Sequence, residues 1–389
     1  MAPVRSVGVV TVGRTDWNLW RPVLDEIRTH ADLDLRLYVT SMHLSPEFGY
    51  TIRDIEADGF KADEKIELLM SSDSPQGVAM AMGLGNIGFA QVFARTRPDM
   101  LLVLGDRFET LSAVTAALPF AIPVAHLYGG EATEGAIDEL TRHAITKLSH
   151  LHFTSTQQYA DRVCCALGEE PWRVAHVGAT SIDEIKRTEV LSRDVFTRAH
   201  GLDPEKPFLL VTLHPVTLDA ENTEAHVRCV LEALEQFGMP VLLTYPNADT
   251  SGRIILKHLK KYQARYPGTP LVASLHRVGY YSALKHAAAM VGNSSSGIVE
   301  APSYALPVIN IGDRQKGRVR ARNVIDVSYE PEAILRALGR SQTAEFRRSL
   351  EGIENPYGDG HASKRIVDVI RTVSLDKRLL TKTLQHPPL

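Results

Sequence analysis

Carboxylates and a guanidinium crowd one short stretch of this chain. In "HLYGGEATEGAIDELTRHAITKLSHLHF", residues 126–153, Glu131, Glu134, Asp138 and Glu139 follow a Gly-Gly pair and lead into Arg142 and His143. A further acid, Asp106, stands just after the apolar run "MLLVLG" (100–105). Several carboxylates at one strand edge are a common way to supply a general acid and a general base together. The adjacent glycines Gly129-Gly130 would let the backbone approach a ligand closely. Asp138 and Arg142 also have the i, i+4 spacing of a plain intrahelical ion pair, and the sequence alone leaves both readings open.

A second set of residues suits an anion. "VGNSSSGIVEAP" places Asn293, Ser294, Ser295, Ser296 and Gly297 between an apolar run and a helical pattern, so hydroxyls and backbone N–H groups would surround a positive helix end. An ordinary N-cap uses one such oxygen. Three hydroxyls point instead to a diphosphate, with Glu300 placed to accept from a sugar diol. "GRTDWN" after the first apolar run has the same form and offers Arg14 to a phosphate or carboxylate. His214 before Pro215 reads either as a strand-end histidine or as another phosphate partner.

Cofactor signals are missing. No G-x-G-x-x-G follows the first strand and no Walker lysine motif occurs, which disfavours nicotinamide cofactors and ATP; "GLGNIG" (83–88) has the spacing but no strand before it. No spacing of Cys, His and acids fits a metal, and no H-E-x-x-H is present, so neither metal nor cofactor is expected.

The elements that must hold these groups alternate. Short apolar runs at 6–13, 33–40, 100–105, 122–127, 150–155 and 173–178 are separated by helical patterns, as in "DWNLWRPVLDEIRTH" and "FETLSAVTAALPF". The scheme restarts at 207–214, 240–246, 270–275, 288–294 and 307–312. Apolar runs without alternation mean strands covered on both faces, hence parallel sheets. The expected fold is α/β: two Rossmann-like, doubly wound domains with a cleft between them. Residues 1–186 form the first domain, 187–365 the second, and 366–389 a helix and tail returning to the first. Ligands of such sheets sit beyond the carboxyl ends of the strands, where the polar groups above fall.

Composition excludes several classes. Lys and Arg number 43 against 46 acids, a formal charge of -3, so nothing favours nucleic acid or an anionic membrane surface. Cys164, Cys165 and Cys229 cannot make a disulfide framework and fit a reducing cytoplasm. The start "MAPVRSVGVV" is no signal peptide, and no unbroken run of 18 apolar residues occurs, so a cytoplasmic protein without membrane contact is expected.

The blocks "GRTDWN", "TSMHLSPEFGYT", "LLVLGDRFETLSA", "PVAHLYGGEATEGAIDELTRHAITKLSHLHFTS", "VTLHPVT" and "VGNSSSGIVEAPSYALPVINIGDRQKGR" resemble, in order and over nearly the whole length, the UDP-N-acetylglucosamine 2-epimerase family. "MHLSPEFG" resembles its hydrolysing branch, which makes N-acetylmannosamine or related sugars for sialic-acid-type pathways; non-hydrolysing bacterial members carry a Gln-His pair there. The resemblance implies a glycosyltransferase-B fold with the terminal helix crossing back, a UDP-sugar substrate and a homodimer served by apolar residues of the helix after Glu109. It implies that Arg14, His214, Ser294, Ser295, Ser296, Gly297, Glu300, Arg314 and Arg318 hold the nucleotide half. The sugar would face Asp106, Glu131, Asp138, Glu139 and Arg142.

One position departs from the family pattern: Tyr128 stands where members commonly carry Glu, or His in many bacterial members. The implied chemistry is elimination of UDP across C1 and C2 to a glycal, then addition of water, or return of UDP, with protonation at C2 from the other face. Asp106 would serve as base or ring stabiliser, Glu131 and Asp138 as proton donor and acceptor, and a protonated His214 as phosphate partner. A non-hydrolysing epimerase, a glycosyltransferase of the same architecture and an idle nucleotide-sugar sensor are the rival readings.

Overall fold

The computed structural model describes residues 4–70, 74–132, 137–246 and 252–383. Glu134 and the terminal "HPPL" lie outside them. The chain divides into two compact units, Met1–Glu184 with Tyr357–Leu389, and Ile185–Pro356.

In the first unit, β1 (Arg5–Thr11), β2 (Leu33–Thr40), β3 (Glu64–Ile66), β4 (Met100–Leu104), β5 (Val124–Leu127), β6 (Leu151–Thr154) and β7 (Val174–His176) build one sheet in the order β3-β2-β1-β4-β5-β6-β7. Every pairing is parallel. Strand order reverses at β1, so the switch point lies between β1 and β4, where a doubly wound sheet opens a crevice beyond its strand ends. One face of the sheet buries Trp17, Trp20, Val23, Leu24 and Ile27 of the helix Arg14–Arg28 against Val7, Val9 and Leu37. The other face packs Phe89, Val92, Phe93, Ala113 and Val114 against Val10, Leu101 and Val103.

The terminal helix Ala362–Thr372 joins this unit, laying Ile366, Val367 and Ile370 into the cluster that holds Trp20 and Ile27. Asp183 caps its start by accepting from the amides of Ala362 (3.0 Å) and Ser363 (2.7 Å). Buried Arg173 ties down the chain beyond that helix, donating to the carbonyls of Leu379, Arg378 and Thr381. Residues 357–365, expected with the second domain, therefore lie with the first. Their seat is Gly178, where the Ala179 amide donates to the Tyr357 carbonyl at 2.6 Å.

The second unit repeats the plan with β8 (Leu209–Thr212), β9 (Val241–Thr244), β10 (Leu271–Val272), β11 (Ala289–Gly292), β12 (Val308–Ile311) and β13 (Val324–Val327), in the order β10-β9-β8-β11-β12-β13. All pairings are parallel, and the switch point falls between β8 and β11.

"GLGNIG" sits inside the helix Pro75–Arg95, which packs on the helix Phe108–Ala117. A Cβ at Gly85 would come 3.0 Å from Ser112, and one at Gly88 would come 2.6 Å from Ile66. These glycines admit neighbouring side chains and form no nucleotide loop. Among the described residues this is the helix long and apolar enough to cross a membrane, yet it is the crossover between β3 and β4 and buries Ala81, Phe89, Val92 and Phe93. The helix after Glu109, from which a dimer surface was expected, is mostly buried. The exposed apolar row of Met80, Leu84 and Ile87 belongs to Pro75–Arg95 instead.

Candidate active site

The acids of the first unit gather at the carboxyl ends of β4 and β5. Asp106 follows the β4 turn at Gly105, and the guanidinium of Arg142 reaches it from the helix Ile137–Leu148. Arg142 is 3% exposed and also donates to Glu139 Oε2 at 3.0 Å and to the Glu131 carbonyl at 2.9 Å. It thereby joins the β4 turn, the β5 loop and its own helix. Within that helix it pairs with Glu139 at i, i+3 and reaches out to Asp106, beyond the simple Asp138 pairing that spacing allowed.

His126 braces the turn from beneath. Its Nε2 lies 2.7 Å from the Gly105 carbonyl and its Nδ1 3.1 Å from Thr146 Oγ1, and burial pushes its pKa down to about 3, so the ring is neutral. Nε2 is thus the protonated nitrogen, because a carbonyl offers only an acceptor.

Glu131 is buried and accepts from Ser155 Oγ at 2.6 Å. Asp138 is half-buried; desolvation raises its pKa, with Arg107 opposing the shift and Glu109 adding to it. One carboxylate set in an ion pair beside another held toward its protonated form is the arrangement that lets two acids take different roles.

Gly129 and Gly130 serve the chain's own packing. Gly130 has φ +80, and a Cβ there would lie 2.7 Å from the Tyr159 carbonyl; a Cβ on Gly129 would press on Thr146 and His126 at 3.0 and 3.1 Å. Tyr128, at φ +66, turns its hydroxyl to Thr180, accepting from the backbone amide at 2.9 Å and meeting Oγ1 at 2.7 Å. It locks the β5 loop to the helix Thr180–Arg187.

The turn after β1 is occupied by the protein's own carboxylate. Asp16 accepts from the amides of Val12 and Gly13, both at 2.8 Å, and from Thr11 Oγ1 at 3.1 Å; burial raises its pKa to about 6. The amides expected to meet a ligand anion here are already satisfied. Arg14 points to exposed Asp54 at 3.9 Å.

The second unit carries the anion-type residues at its switch point. The His214 amide donates to Asn293 Oδ1 at 2.7 Å, and Asn293 Nδ2 returns to the His214 carbonyl at 2.9 Å, clasping the ends of β8 and β11. Arg314 and Gln315 donate to the Asn293 carbonyl at 3.1 and 3.0 Å. Burial, then the charge of Arg314, holds His214 down at about pKa 4, which favours the neutral ring in the absence of a ligand anion.

The helix after Ser295 is a single turn, Ser296–Val299, so little macrodipole stands behind it; the hydroxyls of Ser294, Ser295 and Ser296 and the backbone amides are the donors. Half-buried Tyr280 lies beside Ser294, Ser296 and Glu300, and desolvation followed by the Glu300 charge raises its pKa. Gly297 lets Val308 pack closely, since a Cβ there would come within 2.8 Å of it. Arg318 is half-buried on the turn after β12. A small pocket beside His214 is lined by Val216, Thr223, Val227 and Ile255 and by His226 stacked on Tyr329, ring centroids 3.7 Å apart.

A family model described as UDP-N-acetylglucosamine 2-epimerase matches residues 25–371. The chain belongs to that family. This epimerase is 37% identical over 379 residues, 97% of its length and 99% of the relative's, to a UDP-N,N'-diacetylbacillosamine 2-epimerase (hydrolyzing) of Legionella pneumophila. It is 38% identical to a GDP/UDP-N,N'-diacetylbacillosamine 2-epimerase (hydrolyzing) of Campylobacter jejuni, covering 96% of this chain and 97% of that one. The structure of UDP-GlcNAc 2-epimerase from Neisseria meningitidis bound to UDP-GlcNAc superposes with a TM-score of 0.82 at 21% identity, over 95% of this chain and all of that one. The two parallel-sheet units of the epimerase are thus of glycosyltransferase-B type.

Sequence reading missed Glu109, Ser41 and His43 as parts of the acidic end of the first unit. They follow β2 and β4, and only the β1, β2, β4 adjacency brings them beside Asp16.

Proposed function

We propose that this epimerase is hydrolysing: a UDP-2-acetamido sugar and water give the 2-epimerised free sugar and UDP. The observation that carries the reading is the division of carboxylates at the β4 and β5 ends, with Asp106 ion-paired to Arg142 and Asp138 raised toward its acid form. Inverting C2 requires removal of a weakly acidic hydrogen, which is eased when the C1–O bond to UDP breaks in the same step. The electrons of the C2–H bond become the C1–C2 double bond, the C1–O pair leaves with UDP, and a glycal remains.

Asp106, ion-paired with Arg142, stabilises the cationic ring or takes the C2 proton. Glu131 and Asp138 handle the remaining proton transfers, with Glu139 and Arg142 holding the sugar end in register. Water adds its oxygen at C1 while C2 receives a proton from the opposite face. The departing diphosphate meets donors rather than cations alone: His214, the Ser294 to Ser296 hydroxyls, Arg314 and Arg318, with Glu300 taking the ribose diol. Arg14 and Tyr128 contribute at the edge, Tyr128 by fixing the loop that carries Glu131.

UDP-N-acetylglucosamine is the first substrate to test. The names of the two hydrolysing relatives favour UDP-N,N'-diacetylbacillosamine as a second. Incubation with each, followed by ¹H NMR, separates the outcomes: free 2-epimer and UDP support the reading, whereas a UDP-linked 2-epimer alone supports a non-hydrolysing enzyme. We further propose a cytoplasmic homodimer, with the Met80, Leu84 and Ile87 row against its copy; sedimentation at the monomer mass would refute the dimer.

A further inference from the structure

Residues past two strand ends of the first unit, Ser41 after β2 and Arg107 after β4, meet on one fully buried carboxylate. Glu109, at 0% exposure, accepts from Ser41 Oγ at 2.6 Å and from Arg107 through Nη2 at 3.0 Å and Nε at 3.2 Å. Ser41 holds a left-handed backbone, φ +56, which costs about 1 kcal/mol or more for a residue with a Cβ and persists only where the surroundings enforce it. The enforcement is visible in the next residue, whose amide donates to the Val12 carbonyl at 3.1 Å. Beside it, His43 is clasped between Thr11 Oγ1 at 2.9 Å and Thr51 Oγ1 at 2.8 Å. The β2 turn is therefore built to aim a hydroxyl at Glu109.

A buried carboxylate removed from substrate needs a reason, because desolvating it is costly unless its partners are fixed. The partner is Arg107, which follows Asp106 directly and carries a charge felt at Asp138. A guanidinium left free to close on Asp138 would hold that acid as a carboxylate and strip it of a proton to give. We infer that the Ser41–Glu109–Arg107 chain is a positioning device that keeps the Arg107 guanidinium turned onto Glu109, so that Arg107 does not close on Asp138 and fix it as an ion-paired carboxylate.

The inference rests on the reading that Asp138 exchanges a proton with substrate. The charged groups around Asp138 bear it out in sign. From the β4 side come Arg107, which attracts, and Glu109, which repels; Asp16 from the β1 turn offsets Arg107; and Glu139, Arg142 and His143 lie on the same helix, tied to each other and to Asp106. Removing the Glu109 charge both deletes a repulsion and releases Arg107, and both changes favour ionised Asp138.

The test is a ¹³C-carboxyl NMR titration of aspartate-labelled protein, with the Asp138 signal assigned by its loss in Asp138→Asn. In Glu109→Gln the Asp138 midpoint falls by about one pH unit. Above both midpoints kcat falls up to about tenfold with KM held within about twofold, and the alkaline limb of kcat moves down by the same interval. An unchanged Asp138 midpoint overturns the inference. Should Glu109→Gln not fold, Ser41→Ala tests the same chain and moves the midpoint in the same direction by less. If the wild-type protein turns over no nucleotide sugar, the functional reading fails while the titration still decides whether Glu109 governs Asp138.

Discussion

Arg142 and Asp106 form an ion pair that joins two loops of one sheet edge: the guanidinium is 3% exposed and the carboxylate 24%. The acid stays reachable while its partner is sealed in, which lets the pair keep a fixed charge at a working surface. Asp106→Asn removes that charge and retains the shape. Turnover should fall by at least about 100-fold, with the UDP dissociation constant changed less than about threefold. Calorimetry with UDP beside a UDP-release assay checks both, and wild-type release from the variant would refute the role.

Breaking the pair from the other side affects folding. Arg142→Ala leaves Asp106 without its guanidinium partner and removes donors from Glu139 and the Glu131 carbonyl, a loss of about 3 kcal/mol from the first unit. Urea melts followed by tryptophan fluorescence report it, since Trp17 and Trp20 lie in that core. An unchanged midpoint would mean that the pair contributes nothing to stability.

Acid should unfold the protein well above the usual carboxylate range. His43, His150 and His214 are depressed to about 4 and His126 to about 3, all by burial first. Unfolded, each takes a proton near pH 6.5; folded, each refuses it until near pH 4. Their contribution is thus complete above pH 6.5 and is lost as pH falls below it, at about 1 kcal/mol per histidine between pH 7.5 and 5.5. Asp16, raised to about 6, acts oppositely, because its folded form binds protons that the unfolded chain does not, and it offsets roughly one histidine. Unfolding free energies from denaturant melts at the two pH values should differ by a few kcal/mol, and equal values would contradict the buried neutral rings.

Gly292 ends β11 at φ +138, where a Cβ would sit 1.9 Å from the Thr212 carbonyl oxygen of β8. Gly292→Ala must part the two strands that carry His214 and Asn293. A loss of about 3 kcal/mol or more is expected, together with UDP affinity, whereas Ala at Gly339, where a Cβ meets nothing within 4 Å, should be neutral or better.

The alternation of apolar runs made both parallel sheets legible, because strands covered on two faces need no polar alternation. β3 and β13 were not legible: "EKI" and "VIDV" are edge segments of three and four residues, each interrupted by charge and too short for an apolar run to stand out. The acids after β4 and β5 were legible because they crowd within one stretch. Asp16 read as part of an anion turn and proved to be the anion. Glu109 carried no signal in the sequence, because the hydroxyl that binds it belongs to Ser41, 68 residues away. The charge state of His214 could not be read from its neighbours in sequence, since Arg314 arrives from the turn after β12.

The most direct test of the central claim is to run the reaction in deuterium oxide with a UDP-2-acetamido sugar and no acceptor, and to read C2 of the released sugar by NMR. Elimination and reprotonation by these carboxylates predict close to one deuterium at C2, inverted configuration and free UDP. Release of UDP with the original hydrogen and configuration at C2 would contradict the account.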